Sequence, residues 1–295
     1  MTVGAGFRLS QVLIVESLEP HEVQTGAQIA DFINAAEGSA ASLGIAVEYQ
    51  TCDNAPDFRA FLCALTSQVR ATGRIPLLHV ECHGDENDGL EFCNGSVMSW
   101  LELSELLVEL NRATRFNLVT VFSACYGAHF LSRVDSIDPA PCFAMIAPTA
   151  AVEPYELLAG FRTFYSTLLR SQDVAVAVGE ILRLRLTEGV WFAHLAEFWY
   201  EEVAVRYVET QCTKPEMRRR ALRMHRKLQS EGLSRDIGQL RRGLVQVNRH
   251  NLLVKFFDRY FMTVDIPENT QRFRAARKRI ENRLSCLRRT GRYGV

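Results

Sequence analysis

Short apolar runs separated by stretches of helical periodicity fill the first two-thirds of the chain. The runs predict strands at residues 11–16, 45–50, 75–82, 118–122 and 142–146, each of the length expected for a buried strand. Residues 22–43 and 57–72 lie between them and are long enough to be the helical crossovers that parallel strands require. Ser99 followed by Glu102 is a capping box, and Leu103, Leu106, Leu107 and Leu110 then recur at helical spacing, so a helix is predicted over 100–112. Just before it, Leu90-Glu91-Phe92 and Ser96-Val97-Met98 flank Asn94-Gly95, the pair preferred by a type I′ turn, which predicts a hairpin. Further helices are read at 155–170 and 174–187. Such alternation predicts an α/β fold, helices layered on a mostly parallel sheet.

Gly189 is a plausible boundary, giving domains at 1–188 and 189–295. From Trp191 onward the pattern reads as all-helical. Phe198, Val203 and Tyr207 come first, then a basic run over 218–227. Leu252, Leu253, Phe256, Phe257, Tyr260 and Phe261 follow as a broad apolar stripe. Pro215 and Pro267 divide this part into three or four helices. Charge sharpens the division. The chain is neutral overall, yet residues 1–190 carry 11 Arg, no Lys and 23 acidic groups, a balance of −12, and the remainder is +12.

With 47% hydrophobic and 23% charged residues, the 295-residue chain has the balance of a globular protein with a sizeable core. Its longest uncharged stretch, 116–132, contains Ser, Cys, Tyr, Gly and His, so no membrane span is expected. The only continuous apolar run near the N-terminus, 12–15, is too short for a signal peptide, and a cytoplasmic location is expected. Eight scattered cysteines without a C-x-x-C pair argue for reduced thiols.

In an open parallel sheet, the loops leaving the carboxyl ends of the strands gather at one edge, where ligands and catalytic groups collect. His83-Gly84 leaves the third strand and Cys125 the fourth, inside Ser123-Ala124-Cys125-Tyr126-Gly127. Small residues there let a thiol stand exposed at a tight turn with backbone N–H groups free. For an arbitrary Cys/His pair, a buried small residue and a loop histidine would be the default reading.

These residues carry a resemblance. An apolar strand ending in His83-Gly84, then Phe122-Ser123-Ala124-Cys125-Tyr126-Gly127 42 residues on, resembles the His-Gly and Ala-Cys-x-Gly motifs of the caspase-like (clan CD) cysteine peptidases. Within that clan the chain is most similar to the CHAT domains common in bacteria. There a Gly-Leu-x-Phe or Gly-Leu-x-Leu strand, an Asn-Gly or Asp-Gly turn and a short helix separate the two motifs, as Gly89-Leu90-Glu91-Phe92, Asn94-Gly95 and 100–110 do here. Ile146-Ala147-Pro148, Val152 and the stretches 161–169 and 175–181 extend the likeness over roughly residues 8–188. Ser123 stands where caspases have Gln and metacaspases Asp, so cleavage after Asp, Arg or Lys does not carry over.

The resemblance implies a caspase-like three-layer sandwich and acyl transfer to a cysteine. Cys125 attacks the scissile carbonyl, and His83 takes the thiol proton and later gives one to the leaving amine. Backbone N–H groups of Gly84 and Cys125 stabilise the oxyanion, and Ser123 and Asp85 join Gly84 as substrate-binding candidates. No cofactor, metal or third catalytic residue is identifiable. The expected partner is a protein substrate, for instance a gasdermin-like or other operon-encoded protein in anti-phage defence or regulated cell death, with an activating partner open. The alternative is a catalytically silent scaffold that binds a partner through its basic helices.

Weaker signals have plainer readings. Cys82, His83 and Cys93 lack the paired spacing of a zinc site. His79 reads as a packed core histidine. Asp85, Glu86 and Asp88 could select a basic side chain or bind a divalent cation, with a solvated acidic loop preferred. Arg219, Arg223 and Lys227 lie at i, i+4 and i+8, and Arg277, Lys278 and Arg279 form a second cluster. Docking onto the acidic domain or a solvated face is preferred for them, a protein partner second and nucleic acid third, since no nucleic-acid motif is present.

Overall fold

The computed structural model describes residues 7–35, 40–133, 138–248 and 256–290. The chain forms two compact units, residues 1–135 with 140–196 and residues 197–295 with 136–139.

The first unit is an α/β domain. In chain order it runs β1 (Gln11–Ser17), α1 (Thr25–Ala35), β2 (Ala46–Thr51), α2 (Ala55–Thr72), β3 (Pro76–Asp85), β4 (Gly89–Glu91), β5 (Val97–Met98), α3 (Trp100–Ala113), β6 (Val119–Ser123), β7 (Ala144–Pro148), α4 (Pro154–Ser171), α5 (Val174–Ile181) and β8 (Trp191–Leu195). The sheet order is β2-β1-β3-β6-β7-β8, parallel except for β8, with β4 and β5 as a side hairpin on β3. Alternation sends Val12, Ile14, Leu77, Val119, Val121, Ala144 and Ile146 into a core shared with α1, α4 and α5. The opposite face takes residues such as Phe122, whose ring meets Trp100 of α3 and Phe130.

Local chemistry explains the boundaries. Asn54 caps α2 by accepting from the Asp57 N–H, and Gly73, in the left-handed region, ends it. Ser99 caps α3 as its capping-box position predicts, accepting from Glu102 N–H. The hairpin turn differs from expectation. Only Gly95 is left-handed, and the pairing of Phe92 with Ser96 makes a three-residue loop with glycine at its last position, not a type I′ turn. The expected crossover at 22–43 is α-helical at Thr25–Ala35 and a short 3-10 helix at Ala40–Leu43, and residues 36–39 lie outside the described residues. Helix α5 stops at Ile181, short of 187.

The clearest departure is β8, which occupies 191–195 where helix was expected. Gly189 turns the chain with φ 69°, and Thr149 and Val190 exchange hydrogen bonds that start the antiparallel pairing with β7. Trp191, Ala193 and Leu195 then face the core and Phe192 and His194 do not, a strand alternation that the helical reading passed over.

The second unit is helical. It comprises α6 (Ala196–Gln211), α7 (Lys214–Ser230), α8 (Ile237–Val247), a helical turn at 256–260, α9 (Glu268–Arg272) and α10 (Arg274–Arg289). Pro215 sits in the first turn of α7 behind a Thr213 cap and Pro267 caps α9, so both prolines begin helices. Tyr200, Phe257, Tyr260, Phe261 and Phe273 form its aromatic core. Leu252 and Leu253 of the expected stripe lie outside the described residues. Arg279 pairs with Glu197 and Glu201.

Among the described residues no helix is long and apolar enough to cross a membrane. In α4, a Cβ on Gly160 would run into the Trp191 ring of β8. Helix propensity alone favours Gly160→Ala by about 1 kcal/mol. Overpacking costs roughly 1–3 kcal/mol, so the variant is expected to unfold at lower urea than wild type; a raised midpoint would show that the contact does not decide.

Candidate active site

The site begins with strand register. Pairs between β3 and β6 run from Leu77↔Val119 to Glu81↔Ser123, so two residues farther along, His83 and Cys125 leave adjacent strands at corresponding positions. Adjacent strands are about 4.8 Å apart. Strand β3 does not end at Cys82 as expected but continues through Asp85, with His83 opposite Glu91 in the β4 pairing. Gly84 is the tightest point. A Cβ there would collide with the Cys125 carbonyl oxygen and lie 3.2 Å from the Ala124 Cβ, so only glycine lets the histidine strand close on the cysteine turn.

That turn is shaped for an exposed nucleophile. Tyr126, directly after Cys125, is left-handed with φ 58°, a strained conformation for a tyrosine. Its N–H donates to Ala150 O in the loop after β7, and the Gly127 N–H donates to Ala124 O. Among the described residues the Cys125 N–H has no acceptor, so it is free to donate to a developing oxyanion. Cys125 itself is partly exposed. Its neighbour Cys82 is fully buried, and desolvation holds that thiol well above the ordinary range; burial likewise raises Cys52. Neither is suited to attack.

Glu22 has no motif to mark it, yet the structure places it beside the histidine. Its Oε1 lies 2.9 Å from His83 Nε2, and its Oε2 accepts the Glu19 N–H at 2.7 Å. Both oxygens are therefore held. A carboxylate only accepts, so the pairing puts a proton on Nε2 and leaves the Nδ1 lone pair able to receive one. Among the described residues no hydrogen bond joins His83 to the Cys125 thiol.

A buried polar layer anchors the loop that carries Glu22. Beneath the site, Glu16, Glu81 and Ser123 lie side by side in register on β1, β3 and β6. Glu81 Oε1 pairs with His79 Nε2 at 2.7 Å, Tyr165 OH is 2.8 Å from His79 Nδ1, and Thr25 Oγ1 donates to Glu81 Oε2 at 2.6 Å. Glu16 accepts from the Gly26 N–H and the Tyr49 hydroxyl, each at 2.6 Å. Desolvation raises its carboxyl above the usual range, and those donors act against the rise. Thr25 and Gly26 open α1, so the start of that helix is tied to two buried carboxylates three residues after Glu22. His79 is buried as expected, but as part of this network.

Ser123 is buried, and among the described residues its Oγ has no hydrogen-bond partner. Asp85 Oδ1 accepts the Asn87 and Asp88 N–H groups, which hold its carboxyl below the usual range and fix the acidic turn. His129, not singled out from the sequence, stacks edge-on to Tyr126 and lies 3.8 Å from Glu86. Among the described residues no group of three His, Cys, Asp or Glu side chains could hold a metal ion. No protein-family model and no curated protein matches the chain.

Thr25→Val removes the hydroxyl from Glu81 while keeping the side chain's shape. Leaving a buried carboxylate oxygen without its donor costs roughly 1–3 kcal/mol, and the urea midpoint is expected to fall accordingly. An unchanged midpoint would mean that the layer does not anchor α1.

Proposed function

We propose that the chain is a cysteine endopeptidase of the caspase-like, CHAT type. The observation that carries this reading is the closure of His83-Gly84 on the Cys125 turn, which only glycine at position 84 permits. The resemblance of the two motifs to that family supplies the reaction class. A cytoplasmic role in anti-phage defence or regulated cell death, such as release of a pore-forming gasdermin-like partner, rests on the resemblance alone.

In the proposed reaction, His83 Nδ1 takes the Cys125 thiol proton as Sγ attacks the substrate carbonyl carbon. The tetrahedral oxyanion accepts hydrogen bonds from backbone N–H groups of Cys125 and Gly84. Collapse breaks the C–N bond, and the imidazolium returns its proton to the leaving amine. Water, deprotonated by His83, then attacks the thioester, releasing a carboxylate and regenerating the thiol. Glu22 acts through His83, fixing the ring and its tautomer and stabilising the imidazolium between the two steps.

One observation favours the second reading, a silent scaffold: the imidazole and thiol are not hydrogen-bonded at rest. Catalytic hydrogen bonds are often long without substrate, and a direct assay separates the readings. Incubation with a proteome-derived peptide library, read by mass spectrometry, is expected to yield new termini with wild type and none with Cys125→Ala or His83→Ala. Glu22→Gln should keep the same cleavage sites with kcat lowered about 100-fold and KM unchanged. Normal cutting by either Cys125→Ala or His83→Ala would refute the dyad.

A further inference from the structure

The helical unit carries a surface that the proposed reaction does not use. Helices α7 and α8 form a hairpin with its own small core of Met217, Ala221, Leu240 and Leu244. Residues 214–242 contain ten basic side chains, eight of them Arg, against three acidic ones. The burial of Met217 and Ala221 turns Arg218, Arg219, Arg223, Arg226 and Lys227 to the other side of α7, and all five are exposed. Glu216 neutralises one flank by pairing with Arg219 and Arg223, and Lys227 lies 4.0 Å from Glu231. Arg218 and Arg226, with Arg235, Arg241 and Arg242, are exposed and make no ion pair among the described residues.

We infer that the α7–α8 hairpin binds the phosphate backbone of a nucleic acid without reading its sequence. A protein partner would be held by aromatic or aliphatic anchors at the centre of its interface. Neither helix exposes an aromatic residue, and the large apolar side chains that the hairpin exposes are Met224 on α7, Val247 at the end of α8 and Leu233 in the connection between them. A membrane surface would need an apolar face to bury, and here the apolar faces of both helices are spent on each other. Phosphate binding needs only cations, and the guanidinium fork suits phosphate oxygens in particular. Repeats of four residues space the cations by about 6 Å along α7, so neighbouring side chains can reach separate phosphates of one strand. Arg218 and Arg226 are the central contacts because no carboxylate competes for them.

The test is fluorescence anisotropy of the full chain with a labelled 30-base-pair duplex across a salt series. Binding is expected at 50 mM salt, falling steeply by 200 mM, and equal for unrelated sequences. The double variant Arg218→Gln/Arg226→Gln should bind at least tenfold more weakly, with a log–log salt slope shallower by about two. Arg218→Lys/Arg226→Lys should retain most of the affinity and the slope. Both substitutions are at exposed positions, and circular dichroism checks that the variants fold. Cys125→Ala should bind as wild type, which keeps this result separate from the peptidase reading. No binding at 50 mM salt, a double Gln variant that binds like wild type, or retention by phosphatidylserine vesicles or polyglutamate in place of the duplex would overturn the assignment.

Discussion

The parallel pairing of β3 with β6 is the constraint on which the candidate site depends. Hydrogen-bonded register from Leu77↔Val119 to Glu81↔Ser123 fixes where each strand runs out, and so brings an imidazole and a thiol to one edge of the sheet. Gly84 completes the approach, because any side chain there would force the two strand ends apart. The strained Tyr126 that follows Cys125 persists because surrounding bonds over-determine it. Its amide is held by Ala150, its carbonyl by the His129 N–H, and its ring packs against His129.

Beneath that edge the fold accepts an energetic burden. Burying two carboxylates on neighbouring strands costs several kcal/mol per ion unless donors surround them. Those donors come from α1, β2 and the network through His79 and Tyr165. The consequence for function is positional. The same bonds pin the start of α1, and the short loop before it holds Glu22 against His83. A neutral, apolar layer would pack as well but would leave the β1–α1 loop without that anchor.

Most of the sheet was legible in the sequence because β1, β6 and β7 are short apolar runs, although the edge strand β2 is polar and exposed, and the Ser99 capping box marked the start of α3. Strand β8 was not, since five residues of mixed aromatic and polar character between two helices read equally well as a helical start. Cys125, His83 and Gly84 were found because they sit in short contiguous motifs at strand ends. Glu22 was missed for the opposite reason: it reaches the site through the β1–α1 loop, whose path only the folded chain defines; His129, in the 3-10 helix Gly127–Arg133 that follows the Cys125 turn, belongs to no pattern that singles it out. Asp85 was legible as part of an acidic loop, but not the fact that its carboxylate is engaged by its own turn.

The proposed chemistry requires His83 to activate Cys125. The most direct measurement is the rate of iodoacetamide alkylation at each thiol at neutral pH, read by mass spectrometry in wild type and His83→Ala. Cys63 and Cys286 are exposed and serve as internal references. Thiolate formation governs the rate, so Cys125 is expected to react at least about tenfold faster than both references in wild type and to lose that advantage in His83→Ala. Equal rates at Cys125 in the two proteins would contradict the proposed chemistry.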